Sequence, residues 1–406
     1  MNSTVALPQE QVPADRIVDV DMLAVPGGAQ DAQKAWRALG SKYGLIWTPR
    51  QKGHWIATNG AVVEQIYRSP DLFSSSVPNL PPEPLPFKFR PLQLDGHEHR
   101  VFRAIIDPAL RPAAVQSYAV RARKLAIDLI EGFWPTGECE FVADFALVMP
   151  LSVFLWMVDL PMEDRAMLQR WVHAATRGKT RQAIEEANIS MFGYVSQRLA
   201  ERRAKPGDDI LSQVIRAEVD GRPLSEEEQL GTSVLLMAAG LDTVAAMMSF
   251  VMHYLARHPA VRRWIMENPS QVSVATEELM RRHGVANNTR TATQDVEIDG
   301  VMVHKGEHVL LPNCVHGLDE NLFPNPEEID FARKPGLTGT FGFGPHRCAG
   351  ANLARMEMRI LLQEWLSRIP DFEVDPKYPV IHQTAQVNGI EMLPLRWETG
   401  SGRRSR

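Results

Sequence analysis

From Ser225 to Arg257 the chain carries the pattern that most restricts its fold. Ser225 followed three residues later by Glu228 is a capping box, in which each side chain satisfies the other residue's backbone N–H. Glu226, Glu227 and Glu228 also complement the positive end of a helix dipole. The pattern predicts a helix running to Arg257, just before His258-Pro259, and spanning roughly 45–50 Å. Ser233 to Leu255 is nearly all apolar, as in a membrane span. Asp242 at its middle would cost about 2.5–3.5 kcal/mol to insert, and no second convincing span exists, so the expectation is a helix buried in a large soluble core. Within it lies Ala239-Gly240-Leu241-Asp242-Thr243. A polar pair in an apolar helix must be satisfied or functional. Gly240 leaves room for something flat or small, and Thr243 is placed to bond back to the carbonyl of residue 239 and loosen the helix. Taken alone, the same residues describe a tolerated kink.

The second informative stretch is Phe341-Gly342-Phe343-Gly344-Pro345-His346-Arg347-Cys348-Ala349-Gly350, followed at once by an amphipathic segment over 350–368. Glycines suit a loop that needs positive φ or close backbone approach. A thiolate needs nearby positive charge or N–H donors, and the loop has residues for both. A haem held by an axial cysteine thiolate fits this arrangement; a structural buried cysteine is the plainer alternative. A cysteine hydrolase built on Cys348 and His346 is a weak rival, because side chains two residues apart seldom converge and no third orienting group is evident.

The composition, 44% hydrophobic and 23% charged, is that of a soluble globular protein, and a net charge of −5 argues against non-specific nucleic-acid binding. Three separated cysteines give neither a disulfide framework nor a zinc knuckle, which suits a reducing cytoplasm. Met1–Asp21 lacks a basic region followed by an apolar run, so no signal peptide or anchor is expected there. No repeat or long linker divides the sequence. The expectation is one domain over 1–406, mainly α with a smaller β region, with flexible ends at about 1–20 and 400–406. Helices are expected over 30–43, 60–68, 115–132, 140–158 and 162–204. Residues 44–58 suggest a hairpin, as do 296–303 about Asp299-Gly300, with 305–306 and 309–311 continuing the sheet. Six prolines within 77–94 forbid a regular helix there; Phe87 and Phe89 lie between them, either lining an apolar pocket or anchoring the loop. His99 and Arg103, at i and i+4, are placed to clamp a carboxylate or to form a solvated basic face.

The spacing Phe341-x-x-Gly344-x-x-x-Cys348-x-Gly350 matches the haem-ligand signature of the cytochrome P-450 family, so the chain resembles a haem-thiolate monooxygenase. The resemblance spans nearly the whole chain, with four separated motifs in order. It implies the family's triangular, helix-rich prism, with haem b between the central helix and the cysteine-loop helix. It implies Cys348 as axial ligand of the haem iron, with Phe341 and Gly350 in the haem-binding loop. Asp242 and Thr243 match the oxygen-activation motif, where they relay protons. His99, Arg103, Arg290 and His346 match propionate donors. Glu278 and Arg281, with Arg333, match a trio that belongs to the fold rather than to the chemistry. The resemblance further implies O2, a [2Fe-2S] ferredoxin with its reductase, no membrane, and a monomeric bacterial enzyme of the cytoplasm. Arg100, Arg103 and Arg355 would form a basic face for an acidic ferredoxin. A non-catalytic haem sensor would not need the Asp242-Thr243 pair, and peroxygenase-type members typically lack its alcohol.

Within that family the chain is most similar to the soluble bacterial camphor-hydroxylase group, sharing Glu-Glu-Leu-x-Arg-Arg, Gly-Leu-Asp-Thr-Val, Leu-Leu-Pro and Arg-Ile-Pro-Asp-Phe. Phe87 stands where the camphor enzyme has a tyrosine that bonds the substrate ketone, and losing that donor removes about 1 kcal/mol of binding together with its geometric constraint. Leu92 replaces a threonine. The remaining wall positions implied are Phe89, Ala175, Thr176, Leu235, Ala238, Ala239, Ala286 and Val387. The small Ala238, Ala239 and Ala286 suggest more room above the haem. The expectation is a different terpenoid or norisoprenoid, ionone-like, with camphor or another monoterpene as the alternative. Asn288 replaces an aspartate near a propionate.

Overall fold

The capping box forms as the sequence dictates: Ser225 Oγ accepts from the Glu228 N–H (3.2 Å) and Glu228 Oε2 accepts from the Ser225 N–H (2.8 Å). Arg222, turned back from a short hairpin, adds two 2.8 Å bonds to the same carboxylate. Hydrogen bonding from Arg222, against the cost of burial, holds Glu228 down at about 2. The helix then does what Thr243 suggested. Thr243 Oγ1 donates to Ala239 O at 3.1 Å, and the helix divides at Asp242, whose φ of −106° departs from helical values.

The computed structural model describes residues 12–40, 42–82, 86–177, 180–334 and 336–399. Among them the helices are α1 Ala32–Ala38, α2 Gly60–Tyr67, α3 Gly96–Leu110, α4 Pro112–Phe133, α5 Val148–Met157, α6 Arg165–Arg177, α7 Arg181–Ala204, α8 Ile210–Arg216, α9 Glu226–Leu241, α10 Thr243–Arg257, α11 Pro259–Glu267, α12 Val272–Arg282, α13 Asn313–Gly317 and α14 Ala351–Arg368. The two halves of the long helix belong to different cores. Ala245–Leu255 of α10 packs with α4 (Ala122, Ala126, Ile130) and α14 (Met358, Leu361, Trp365) in the largest cluster. Val234 and Met237 of α9 pack instead with Phe87, Phe154, Val172 and Tyr194. Glu226–Arg257 is long and apolar enough to cross a membrane, yet 65% of its apolar window is buried inside the protein, as a core helix requires.

The principal sheet orders its strands 45–48, 54–57, 308–312, 287–292 and 73–74, antiparallel except where 308–312 runs parallel to 54–57. Two sequence expectations change here. Residues 308–312 join this sheet and do not extend the 296–303 hairpin, which pairs only with itself about Asp299 (φ 52°) and Gly300 (φ 72°). The N-terminal segment is docked from residue 12 onward: Arg16 ion-pairs with Asp299 at 2.6 Å and donates to Leu45 O, and Ile17 bridges Trp47. Of the ends expected to be flexible, 1–11 and 400–406 lie outside the described residues, as does Pro84 of the proline-rich stretch. The segment over 162–204, expected to be largely helical, is two helices, α6 and α7.

One core residue breaks the apolar pattern. Glu357 of α14 is 1% exposed, and neither carboxyl oxygen has a hydrogen-bond partner among the described residues. Burial alone pushes its pKa up to about 8, so it is neutral in the folded protein at neutral pH. The unfolded chain would release this proton near pH 4.3. The folded state therefore holds the proton more tightly; this contribution is complete below about pH 4 and is lost as pH rises to about 8. The unfolding free energy should fall between pH 5 and pH 8 by an amount on the order of a few kcal/mol, read as a lower urea midpoint, and Glu357→Gln should flatten that slope.

Candidate active site

The cysteine loop is shaped by two glycines at positive φ, Gly342 (68°) and Gly344 (66°). A Cβ on Gly344 would lie 2.5 Å from Tyr67 O, so the loop presses against the end of α2 where no side chain fits. The Cys348 N–H donates to Phe341 O (2.9 Å) and the Arg347 N–H to Gly344 O (3.1 Å), which folds the loop back toward its start. Cys348 keeps accessible surface although protein surrounds its sulfur densely. Burial pushes the thiol pKa up; the Gly350 N–H and the charges of Arg103, Arg347 and Arg355 oppose it without winning. The positive charge that the sequence promised is present beside the sulfur. A Cβ on Gly350 would sit 3.8 Å from that sulfur, an ordinary contact. Phe341 packs against the main core with the Arg355 guanidinium 4.6 Å from its ring centre.

The expected carboxylate clamps come together from three elements. The rings of His99 on α3 and His346 on the loop lie 4.0 Å apart. Burial, then the neighbouring His346 and the Arg103 charge, push His99 down to about 4, so it is a neutral donor or acceptor. His346 Nε2 faces Asp95 Oδ1 at 3.3 Å. Burial opposes ionisation of Asp95, but His346, Ser74 and the Ser75 N–H overcome it and hold the carboxyl at about 2. Arg103 donates to Asp107 Oδ1 (2.8 Å) and Arg347 O (2.9 Å). Arg290 is buried, donates to Thr289 O at 2.8 Å, and lies 4.9 Å from the centre of the Tyr67 ring. Among the described residues it forms an ion pair with no carboxylate, so a buried guanidinium awaits an anion.

Tyr67, Asp95 and Asn313 had no sequence signal. The Tyr67 hydroxyl donates to Asn313 Oδ1 (2.6 Å) and accepts from Asn288 Nδ2 (2.8 Å). Asn288, the departure from the camphor enzyme, therefore orients the phenol beneath Arg290.

On the other side, Leu235, Ala238, Ala239, Gly240 and Thr243 all keep accessible surface, while Ser233, Val234, Met237 and Ala245–Met252 are buried. An apolar stripe open at the middle of a core helix marks a face that a flat group can cover. Gly240 is used otherwise than expected: an added Cβ would lie 3.3 Å from the Phe154 ring, so the room it spares is taken by α5. Asp242 is 4% exposed and its carbonyl accepts from the Ala246 N–H.

Of the expected wall residues, Phe87 and Phe89 meet with ring centres 5.8 Å apart, and Phe87 also meets Phe192 of α7 at 4.9 Å. Phe192 went unnoticed because nothing in its helical pattern separates it from core. Ala286 and Val387 face each other in an antiparallel bridge. Leu92 and Ala175 are partly buried, and the Thr176 side chain lies outside what is described. Glu278, Arg281 and Arg333 meet: Arg281 makes two 2.8 Å bonds to Glu278, and Arg333 adds one at 3.1 Å. Arg355 is engaged differently, held bidentate by Glu277 (2.5 and 2.9 Å), which neutralises its share of a basic face. Arg103 is likewise bound within the protein, which leaves Arg100 as the exposed member.

The cytochrome P450 family model matches residues 157–276 and 272–386. The chain belongs to the cytochrome P450 family. Haem b is therefore its cofactor, and the sulfur, the donor cluster around unpaired Arg290 and the open helix stripe fit an iron porphyrin with two carboxylates. A probable cytochrome P450 127A1 from Sinorhizobium fredii is 37% identical over 310 residues, covering 76% of this chain and 74% of that protein. The steroid C26-monooxygenase of Mycolicibacterium smegmatis is 28% identical over 391 residues, 93% of this chain and 96% of its own. The crystal structure of cytochrome P450 CYP101C1 superposes with a TM-score of 0.87 at 38% identity, covering 97% of this chain and all 100% of that one. This P450 is an oxidoreductase of the monooxygenase class.

Gly344→Ala tests the loop. Strain at positive φ and the collision with Tyr67 O should cost about 1–3 kcal/mol. The haem content of purified protein, read as Soret absorbance per chain, should fall with it.

Proposed function

We propose that this chain is a cytoplasmic, ferredoxin-dependent monooxygenase that hydroxylates a small terpenoid or norisoprenoid, an ionone-like molecule, as a single catalytic domain over 1–406. The observation that carries the substrate class is Phe87. Its ring is 8% exposed and packs between Phe89 and Phe192, so an aromatic wall stands where the camphor enzyme orients a ketone with a hydroxyl. Such a wall selects by shape and apolar area, at roughly 25 cal/mol per Å2 buried, and leaves polar groups of the substrate unfixed.

When bound, haem b supplies the activation of O2, one atom of which enters the substrate while the other leaves as water at the cost of two electrons and two protons. Cys348 would hold the iron through its sulfur, tempered by the Gly350 N–H. Arg290, His99, His346 and Arg103 would hold the two propionates, and Arg290 gains most because its charge is buried. Thr243 Oγ1, already bonded to Ala239 O at the opened turn, and the Asp242 carboxyl would hold and pass protons on the oxygen side. The apolar stripe and the aromatic wall exclude water, so protons arrive only where these two residues admit them. Electrons would come from an acidic [2Fe-2S] ferredoxin served by its reductase, docking near Arg100.

Reduced protein under carbon monoxide should show the red-shifted Soret band of a thiolate-bound haem; its absence from haem-loaded, folded protein overturns the assignment of Cys348. Thr243→Val keeps the shape and removes the hydroxyl. With an ionone substrate and a ferredoxin system, product formed per electron consumed should fall roughly tenfold or more. An unchanged ratio excludes Thr243 from the proton path, and wild type inactive with every [2Fe-2S] ferredoxin excludes that donor class.

A further inference from the structure

Gly231 sits inside α9 with no turn or positive φ to require it, and a helical glycine costs about 1 kcal/mol relative to alanine. Its reason is contact. A Cβ there would fall within 3.0 Å of Lys88 O, the carbonyl between Phe87 and Phe89. The proline-rich loop thus rests its backbone directly on the helix. Gly231, Leu235 and Ala238 stand at i, i+4 and i+7, so they share one face of α9. The face that carries the pocket residues is also the seat of the loop.

Two further pins hold the loop in that seat. Gln93 takes both backbone groups of Phe89: its side-chain Oε1 accepts from the Phe89 N–H (2.7 Å) and its own N–H donates to Phe89 O (2.9 Å). The other end of the same amide, Nε2, donates to Ser76 O at 2.9 Å and closes the base of the loop. Arg90 donates to Lys88 O (3.2 Å) and to Glu227 Oε1 on α9 (3.2 Å), tying the loop to the turn before Gly231.

We infer that Gly231 and Gln93 are specificity-determining positioning residues: they set the height at which Phe87 and Phe89 stand over the face of α9, and so the room above the haem. The loop is then a fixed wall whose position is read off the helix, and substrate shape is tuned two shells away from the substrate. This inference rests on the reading of Phe87 and Phe89 as pocket wall.

The test needs a ruler that does not depend on the natural substrate. Imidazole and 4-phenylimidazole both bind haem iron through nitrogen and shift the Soret band, but only the second reaches the wall. Dissociation constants for both would be measured on wild type, Gly231→Ala and Gln93→Ala. Gly132→Ala serves as control, since a Cβ at Gly132 meets nothing within 4 Å. Expected is a change of at least fivefold in the ratio of the two constants for Gly231→Ala and Gln93→Ala, with imidazole itself within twofold and Gly132→Ala unchanged. Where Gly231→Ala does not accumulate as haem protein, Gln93→Ala decides. Haem-loaded variants with the wild-type ratio overturn the inference. A wild type without the thiolate-haem band overturns the assignment beneath it, and a wild type that binds both azoles but gives no spin shift with ionones overturns only the substrate class.

Discussion

The guanidinium of Arg281 is the constraint on which the cysteine side of the molecule depends. It is 1% exposed, where an unpaired charge would cost several kcal/mol. Each of its five N–H donors meets an acceptor: two on Glu278, and one each on Gly317 O, Pro326 O and Glu328 O. A helix, a helix end and the meander before the cysteine loop are thereby fixed to a single planar group. A lysine, with three donors on a point charge, has no way to fill the same set. Gly317 shows how close this packing is, since a Cβ there would collide with the Arg281 backbone carbonyl.

Electrostatics on the cofactor side follow a different rule. Arg290 and Arg103 carry fixed charge, while His99 and His346 are pushed toward neutrality by burial and by those same arginines. Asp95 answers His346 locally and remains ionised. The cluster therefore offers donors of two kinds, charged and neutral, to an anion entering from one side. Tyr67, held by Asn288 and Asn313, keeps a ring face under Arg290, so part of that charge is stabilised by a quadrupole and not by a carboxylate.

What the sequence made legible is local. The capping box, the weakened turn at Thr243, the hairpin about Asp299-Gly300 and the glycines of the cysteine loop each rest on residues a few positions apart, and each is present in the structure. Spacing joins His99 to Arg103 on one helix face, whereas Arg290 and His346 enter the donor set only through family resemblance, since no spacing rule joins residues so far apart. What stayed hidden depends on surfaces meeting across long separations. Tyr67 with Asn288, Phe192 with Phe87, Arg16 with Asp299 and Arg355 with Glu277 are ordinary residues until the chain brings their partners near. Gly240 is the reverse case: the side chain it lacks makes room for the Phe154 ring and not for a ligand.

The division of the long helix at Asp242 has a mechanical side. Its first half is cemented into the cluster around Phe87, Phe154 and Tyr194, and its second half into the core of α4 and α14. The joint lies between the two clusters, and Thr243 Oγ1 donates to Ala239 O across it. Asp242 and Thr243 therefore stand on the seam between two cores, packed on one side by the cluster behind the aromatic wall and on the other by the core of α4 and α14.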